Sequence, residues 1–322
     1  MRRREFITLV GGATAWPIVA RAQQALPVVA YFRVGSLTPQ LVEAFRQGLS
    51  SMGFQEGRNV TVDYGPVTGQ YDRLRSIADD LVRRGFAVIY AGDNATAVAI
   101  KGASPTVPVV FRIGGDPVVL GLVASLSRPG GNLTGVSFLA TATEAIRLQM
   151  LHQAVPDARV MGLLVNPANP NAAPDTAEAQ KAARQLGLDL QVESASTSQE
   201  IDRAFAAFVK KGVRALSIDG DGLFNNRRLQ LAILTARHGM PAIYNTRDLT
   251  DAGLLMSYGA SNVEADRLAG IYVGRILKGE KPADLPVQQS VKVELIINLI
   301  TARALGIAMP PTLLARADEV IE

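Results

Sequence analysis

Three loops carry polar residues able to hold a charged solute: Gly35-Ser36-Leu37-Thr38, Gly92-Asp93-Asn94-Ala95-Thr96 and Asp219-Gly220-Asp221. Each follows a short apolar run and precedes a helix-like segment. At such a place unpaired backbone amides, the hydroxyls of Ser36, Thr38 and Thr96, and the positive end of a helix can receive an anion. The same residues also serve as ordinary helix caps, and both readings stand for each of them. Asp219 and Asp221 suit an ammonium group, with Gly220 letting the backbone approach, or equally a plain turn. Arg112 comes directly after an apolar run, where it either pairs with Asp116 or faces a solute carboxylate. Asn166 and Tyr244 end two further apolar runs, and Tyr244 would add an aromatic wall with a hydroxyl. If the first two loops hold a carboxylate while Asp219 or Asp221 holds an ammonium, the solute is a zwitterion that bridges two parts of the chain.

The elements that must position these loops read as alternating strands and helices. Residues 86–91, 107–111 and 133–138 are apolar runs of strand length, with one helix opening at Gly92-Asp93-Asn94 and another at Asp116-Pro117. Upstream, Pro27 to Val34 is a strand, and Leu41, Phe45, Leu49 and Met52 mark one face of a helix stopped by Gly53. Val60, Val62 and Tyr64 alternate as a second strand, and a helix through Tyr71, Leu74, Ala78 and Leu81 follows. From Thr143 the rhythm begins again: helices 143–155, 174–186, 199–211 and 223–238 alternate with strands 159–165, 188–192, 213–219, 241–244 and 254–257. Capping boxes are expected at Thr197–Glu200 and Ser261–Glu264. Gly114 to Pro117 and Arg128 to Asn132 read as structural turns. Strands buried on both faces and alternating with helices predict an α/β fold with parallel, doubly wound sheets, whose ligands sit beyond the carboxyl ends of the strands.

Two successive sets of about five strands predict two similar lobes. Helix 261–277, the rigid 281–286 connection and an extra strand at 291–298 do not fit a simple tandem. They predict lobes of 27–138 with 259–288 and of 139–258 with 289–322, joined by a hinge of three crossings. The chain of 322 residues, 48% of them hydrophobic, is long enough for two such cores.

Residues 1–22 read as an export signal with twin arginines at Arg2-Arg3-Arg4, an apolar stretch over 6–20 and a small-x-small cleavage site ending at Ala22. That segment holds four Arg and one Glu, so of the formal charge of +4 only about +1 belongs to the mature chain. This removes the main argument for a nucleic-acid partner. The chain has no cysteine, which excludes thiol chemistry, cysteine-zinc sites and a lipoprotein anchor. The two histidines, His152 and His238, lie within helical patterns away from acidic clusters, and no nucleophile elbow, Walker loop or dinucleotide fingerprint follows a strand. No enzyme activity, metal or cofactor is expected.

The order of motifs resembles the ABC-transporter substrate-binding proteins of the TrpX-like group. The resemblance rests on Phe45-Arg-Gln-Gly-Leu, Gly57-Arg-Asn-Val, Gly115-Asp-Pro-Val, Ser127-Arg-Pro-Gly-Gly-Asn-Leu-Thr-Gly135 and Ile276-Leu-Lys-Gly-Glu-Lys-Pro-Ala-Asp-Leu-Pro286. Glu294 to Asn298 and Pro310 to Glu319 continue it, so it spans nearly the whole mature chain. It implies a type I periplasmic binding protein: two α/β lobes, a three-strand hinge and a solute in the cleft, with an ABC permease as partner and a monomer in the periplasm. A ligand-sensing protein that docks on a membrane receptor would share the fold, and an enzyme on this fold is the remoter alternative.

Overall fold

The computed structural model describes residues 26–65, 71–138, 141–289 and 292–322. The expected signal over 1–22 lies outside the described residues, as do 139–140 and 290–291, which adjoin two of the expected crossings.

The chain runs β1 (Val28–Phe32), α1 (Pro39–Ser51), β2 (Thr61–Tyr64), α2 (Leu74–Arg83), β3 (Val88–Ala91), α3 (Asn94–Ala103), β4 (Val109–Ile113) and β5 (Leu133–Ser137). A second run follows: α4 (Thr141–Ala154), β6 (Val160–Val165), α5 (Ala172–Leu186), β7 (Asp189–Ser194), α6 (Ser198–Lys210), β8 (Ala215–Ile218), α7 (Gly222–Asn226), α8 (Arg228–Arg237), β9 (Ala242–Tyr244), α9 (Arg247–Asp251) and β10 (Met256–Ala260). The chain closes with α10 (Asn262–Leu277), β11 (Gln288–Gln289), β12 (Val293–Asn298), α11 (Leu299–Ala304), α12 (Pro311–Leu314) and β13 (Glu319–Ile321). Two sheets result, ordered β11-β5-β4-β3-β1-β2 and β13-β12-β10-β9-β8-β6-β7. Their pairings are parallel except that β12 runs antiparallel to β10.

Strands β1, β3, β4 and β5 are buried nearly throughout, as expected of central strands covered by helices on both faces. One face of the first sheet is closed by α1 and α10 together. Tyr31, Phe45, Leu49 and Tyr90 share a core with Ala269, Tyr272, Val273 and Ile276. The two helices meet through small residues: a Cβ on Gly48 would stand 2.0 Å from the Arg267 carbonyl oxygen, and one on Gly270 2.2 Å from that of Phe45. Helix α10 thus packs on the first sheet although it follows the strands of the second. Strand β11 lines up beside β5, and β12 returns to pair with β10.

Three local expectations need correction. After Asp116-Pro117 there is no helix. Asp116 accepts from the amides of Val118 and Val119 at 2.8 and 3.2 Å, but the segment turns back at Gly121, whose φ is +67°. Two β-branched residues and a glycine within one turn leave too little for propagation. Helix 223–238 is broken at Arg227, whose backbone (φ −103°, ψ 19°) leaves the helical region; Asn226, the last residue before the break, donates its Nδ2 to the Val34 carbonyl at 3.0 Å. The capping box at Ser261 is absent, since Glu264 is held by Arg267 at 2.6 and 2.8 Å. At Thr197 half of the box forms, with Thr197 Oγ1 accepting from Glu200, whose own carboxylate accepts from the Ser196 amide.

Candidate functional site

The carboxyl ends of the two sheets face each other and enclose a small polar cavity of about 70 Å³. Its first wall comes from Arg33, Gly35, Asp93, Asn94 and Arg112, with Phe138 beside them. The opposite wall comes from Asn171, Asp175, Asp219, Asp221, Asn225 and Asn245, and Asn262 at the start of α10 completes it.

Arg33 stands one residue past β1 and is 4% exposed. Glycines on either side make its room, since a Cβ on Gly92 would come within 3.0 Å of the Arg33 Cβ and one on Gly35 within 3.2 Å of its Nη2. Neither Nε nor Nη1 of Arg33 has a hydrogen-bond partner among the described residues. Burial alone would lower its pKa, but Tyr31, Asp266, Tyr90 and Asp93 more than offset this and keep it charged. A buried cation with unused donors that borders a cavity is arranged for an anionic ligand group.

Arg112 pairs neither with Asp116 nor with a free carboxylate. Its Nη2 donates to the Gly92 carbonyl at 2.9 Å, Nη1 donates to Asn262 Oδ1, and Nε lies 3.8 Å from Asp266 Oδ2. Asp266, fully buried on α10, also accepts from the hydroxyls of Tyr31 and Tyr90. Asp116 is instead exposed and occupied with its own turn. The guanidinium carbon of Arg112 sits 5.6 Å from the centre of the Phe138 ring, which ties β4, α10 and the last residue of the first strand set together.

Amides around the first two loops are partly used: Gly92 donates to the Phe32 carbonyl at 2.8 Å and Asp93 to Thr96 Oγ1 at 3.3 Å. Asp93 Oδ2 accepts from the Val34 amide at 2.6 Å and Oδ1 from the Thr96 amide at 2.9 Å, within a capping box that includes the Thr96 hydroxyl. Asn94 Oδ1 accepts from the amides of Gly114 and Gly115. Thr38 caps α1, and Ser36 Oγ donates to Asn226 Oδ1 at 2.6 Å. Of the twelve residues read as a site from sequence, Gly35, Asp93, Asn94, Arg112, Asp219 and Asp221 line the cavity. Gly92, Thr96, Asn166 and Tyr244 stand behind it, while Thr38 borders a neighbouring chamber and Ser36 contributes to the contact between lobes.

On the second wall, Asp221 is committed to structure. Its Oδ1 accepts from the Leu223 amide at 2.8 Å and from Asn166 Nδ2 at 3.0 Å, and its Oδ2 accepts from the hydroxyl of Tyr71, which reaches across from the first lobe. Tyr244 donates to the Asp221 carbonyl at 3.0 Å. Asp219 differs. Its Oδ1 accepts from the Gly220 amide at 2.8 Å, while Oδ2 is buried with no hydrogen-bond partner among the described residues. Burial and the carboxylates of Asp175 and Glu144 push Asp219 well above the usual carboxylate range. Beneath it Glu144 pairs with Arg147 and accepts from Ser217 Oγ at 2.7 Å.

Sequence reasoning missed Arg33, Asn171, Asp175, Asn225 and Asn262, while Asn245, which follows Tyr244 at a strand end and is expected from sequence to line the cleft, does line the cavity. Arg33 falls inside the strand expected from Pro27 to Val34, and its place near that strand's end is the one sequence signal that points to it. Asp175 sits in the first turn of α5, where an acidic residue reads as a dipole partner. A second chamber of about 460 Å³ shares Asn245, Thr246 and Asn262 with the cavity and opens between the start of α1, Arg228 and the β10 and β12 strands. Among the described residues no group of three His, Cys, Asp or Glu side chains is placed to hold a metal ion, and no helix is long and apolar enough to cross a membrane.

Comparison with known proteins agrees with this architecture. The family model described as ABC transporter substrate binding protein matches residues 33–321. A tyrosine-binding protein of Clostridioides difficile is 26% identical over 263 residues, which make up 82% of this chain and 75% of that protein. A crystal structure of a conserved domain protein from Vibrio cholerae superposes with a TM-score of 0.83 at 27% identity, covering 91% of this chain and 99% of that one. A Streptococcus pneumonia ABC domain solved with L-Trp gives the same TM-score at 23% identity, covering 92% and 100% of the two chains, and so shares the fold.

Proposed function

The chain belongs to the ABC transporter substrate-binding protein family, and from that premise we propose that it is an exported periplasmic receptor for an α-amino acid, which it delivers to a permease. The observation that carries this reading is Arg33, a buried guanidinium with unused donors, sharing a cavity with the Asp219–Asp175 carboxyls of the other sheet. A carboxylate on Arg33 and an ammonium on Asp219 would bridge the walls, so each end of the solute favours closure. The anion then rests on the Arg33 side chain, next to amides of Val34, Gly92, Asp93 and Thr96 that already have partners. A cavity of about 70 Å³ is far below the roughly 300–1,000 Å³ of ordinary ligand pockets. It suits the headgroup, and the contiguous 460 Å³ chamber takes the side chain. The tyrosine-binding relative supports an amino acid with a sizeable side chain.

Residues 27–138 with 259–288 and 139–258 with 289–322 move as the two lobes, and the permease reads their closed arrangement. The twin-arginine signal takes the chain to the periplasm and is removed after Ala22; no bond of the solute is made or broken, and the protein acts as a monomer without nucleic acid. Thermal shift of the purified mature protein against the twenty L-amino acids tests the solute class. One ligand at 100 times its dissociation constant adds about 2.7 kcal/mol of stability. Arg33→Ala should abolish that shift, whereas an undiminished shift in the variant would remove Arg33 from the reading.

A further inference from the structure

Asn245 stands one residue past β9 and belongs to both spaces, since it lines the cavity of about 70 Å³ and the chamber of about 460 Å³. Two glycines make its room. A Cβ on Gly220 would lie 2.2 Å from the Asn245 Nδ2 and 3.3 Å from its Oδ1, and a Cβ on Gly259 would lie 2.1 Å from its backbone carbonyl oxygen. Neither glycine has a positive φ, so neither is required by its own backbone conformation. A side chain at either position would obstruct the close approach of Asn245. The carboxamide placed in this way lies over the loop that carries Asp219. Its Oδ1 is buried and has no hydrogen-bond partner among the described residues. A buried amide oxygen without a donor is costly, and one that borders a solute cavity is arranged for a donor on the solute.

We propose that Asn245 is a further ligand-binding residue, whose side-chain oxygen takes one N–H of the solute ammonium beside Asp219, at the neck where the solute side chain passes from the cavity into the chamber. The inference rests on the amino-acid reading above. Asp219 Oδ2, likewise buried and without a partner among the described residues, takes a second N–H. Two acceptors on one wall call for a nitrogen that carries at least two hydrogens. An α-amino acid meets that demand, whereas its α-hydroxy analogue has a single O–H and leaves one oxygen without a donor. Asn245 therefore sets specificity as well as affinity, because a site built to receive a hydrogen bond rejects the analogue that lacks it.

Titration calorimetry of the mature protein tests the proposal, using whichever of the twenty L-amino acids gives the largest thermal shift. Asn245→Ala should weaken binding by about 10- to 100-fold, the loss expected for a hydrogen bond to a charged group. Asn245→Asp keeps an acceptor oxygen in the same place and should bind at least as tightly as the parent. An Asn245→Ala variant with the parent's affinity overturns the proposal. So does an Asn245→Asp variant that loses as much as Asn245→Ala, because the loss would then come from the nitrogen end of the carboxamide or from the framework. Either result leaves the amino-acid reading standing. A parent that shows no thermal shift with any of the twenty overturns both.

Discussion

At the residue scale, Asp219 and Asp221 look interchangeable in the sequence and are opposite in the structure. Asp221 satisfies a helix cap, Asn166 and Tyr71, so Asp221→Asn should cost about 1–3 kcal/mol of folding stability, measured by urea denaturation without ligand. Asp219 is held against its ionisation, and the sign of its pH dependence follows. A carboxyl whose folded pKa is raised contributes stability that is full below the ordinary carboxylate range and is lost as pH rises through the raised value. Without ligand, Asp219→Asn should therefore unfold at a higher temperature than the parent as pH rises from about 4 toward neutrality and beyond, with the difference vanishing in acid. The same substitution should weaken amino-acid binding by about 1.5–3 kcal/mol, read by titration calorimetry. A parent that gains stability relative to the variant on raising the pH would contradict the buried-carboxyl account.

At the scale of elements, the strand and helix alternation was legible because apolar runs of strand length separated by 3.6-period segments leave few other solutions. The element that carries most consequence was legible only as an anomaly. Helix α10 follows the second strand set but packs on the first sheet, and nothing local to 262–277 says which sheet it will choose. The choice is made by complementarity with α1, where Gly48 and Gly270 let the backbones approach. Gly270→Leu should consequently cost about 1–3 kcal/mol or more through overpacking, checked by chemical denaturation, although the position is helical and leucine is the better helix former. The site was legible in part for a related reason. Strand ends can be read from a sequence, which brought Asp93, Arg112, Asp219 and Asp221 into view. Whether a polar residue there serves a ligand or its own backbone depends on partners distant in sequence. Thr96 and Asn94 are consumed by neighbouring amides, Arg112 by Asp266 from 154 positions away, and Arg33 is left over.

At the scale of the whole molecule, side chains of the two lobes bond to each other directly. Tyr71 donates to Asp221, Asn226 donates to the Val34 carbonyl, Ser36 donates to Asn226, and Arg228 reaches Ser36 at 3.4 Å. The backbones come together where a Cβ on Gly222 would lie 2.9 Å from the Gly35 amide nitrogen. These contacts favour the closed form whether or not the cavity is filled, so they set the fraction of empty protein that is closed and scale affinity by it. Tyr71 is the member whose loss leaves both lobes otherwise intact, since Asp221 keeps Asn166 and the Leu223 amide. Tyr71→Phe removes one hydrogen bond to a carboxylate, which is worth about 1.5–3 kcal/mol, and moves the closing equilibrium toward open by that amount. Small-angle scattering of the empty protein should then show a larger radius of gyration. Ligand affinity should fall through faster release, with the transition temperature of each lobe little changed. If the variant scatters like the parent and binds as tightly, the Tyr71–Asp221 contact does not govern closure.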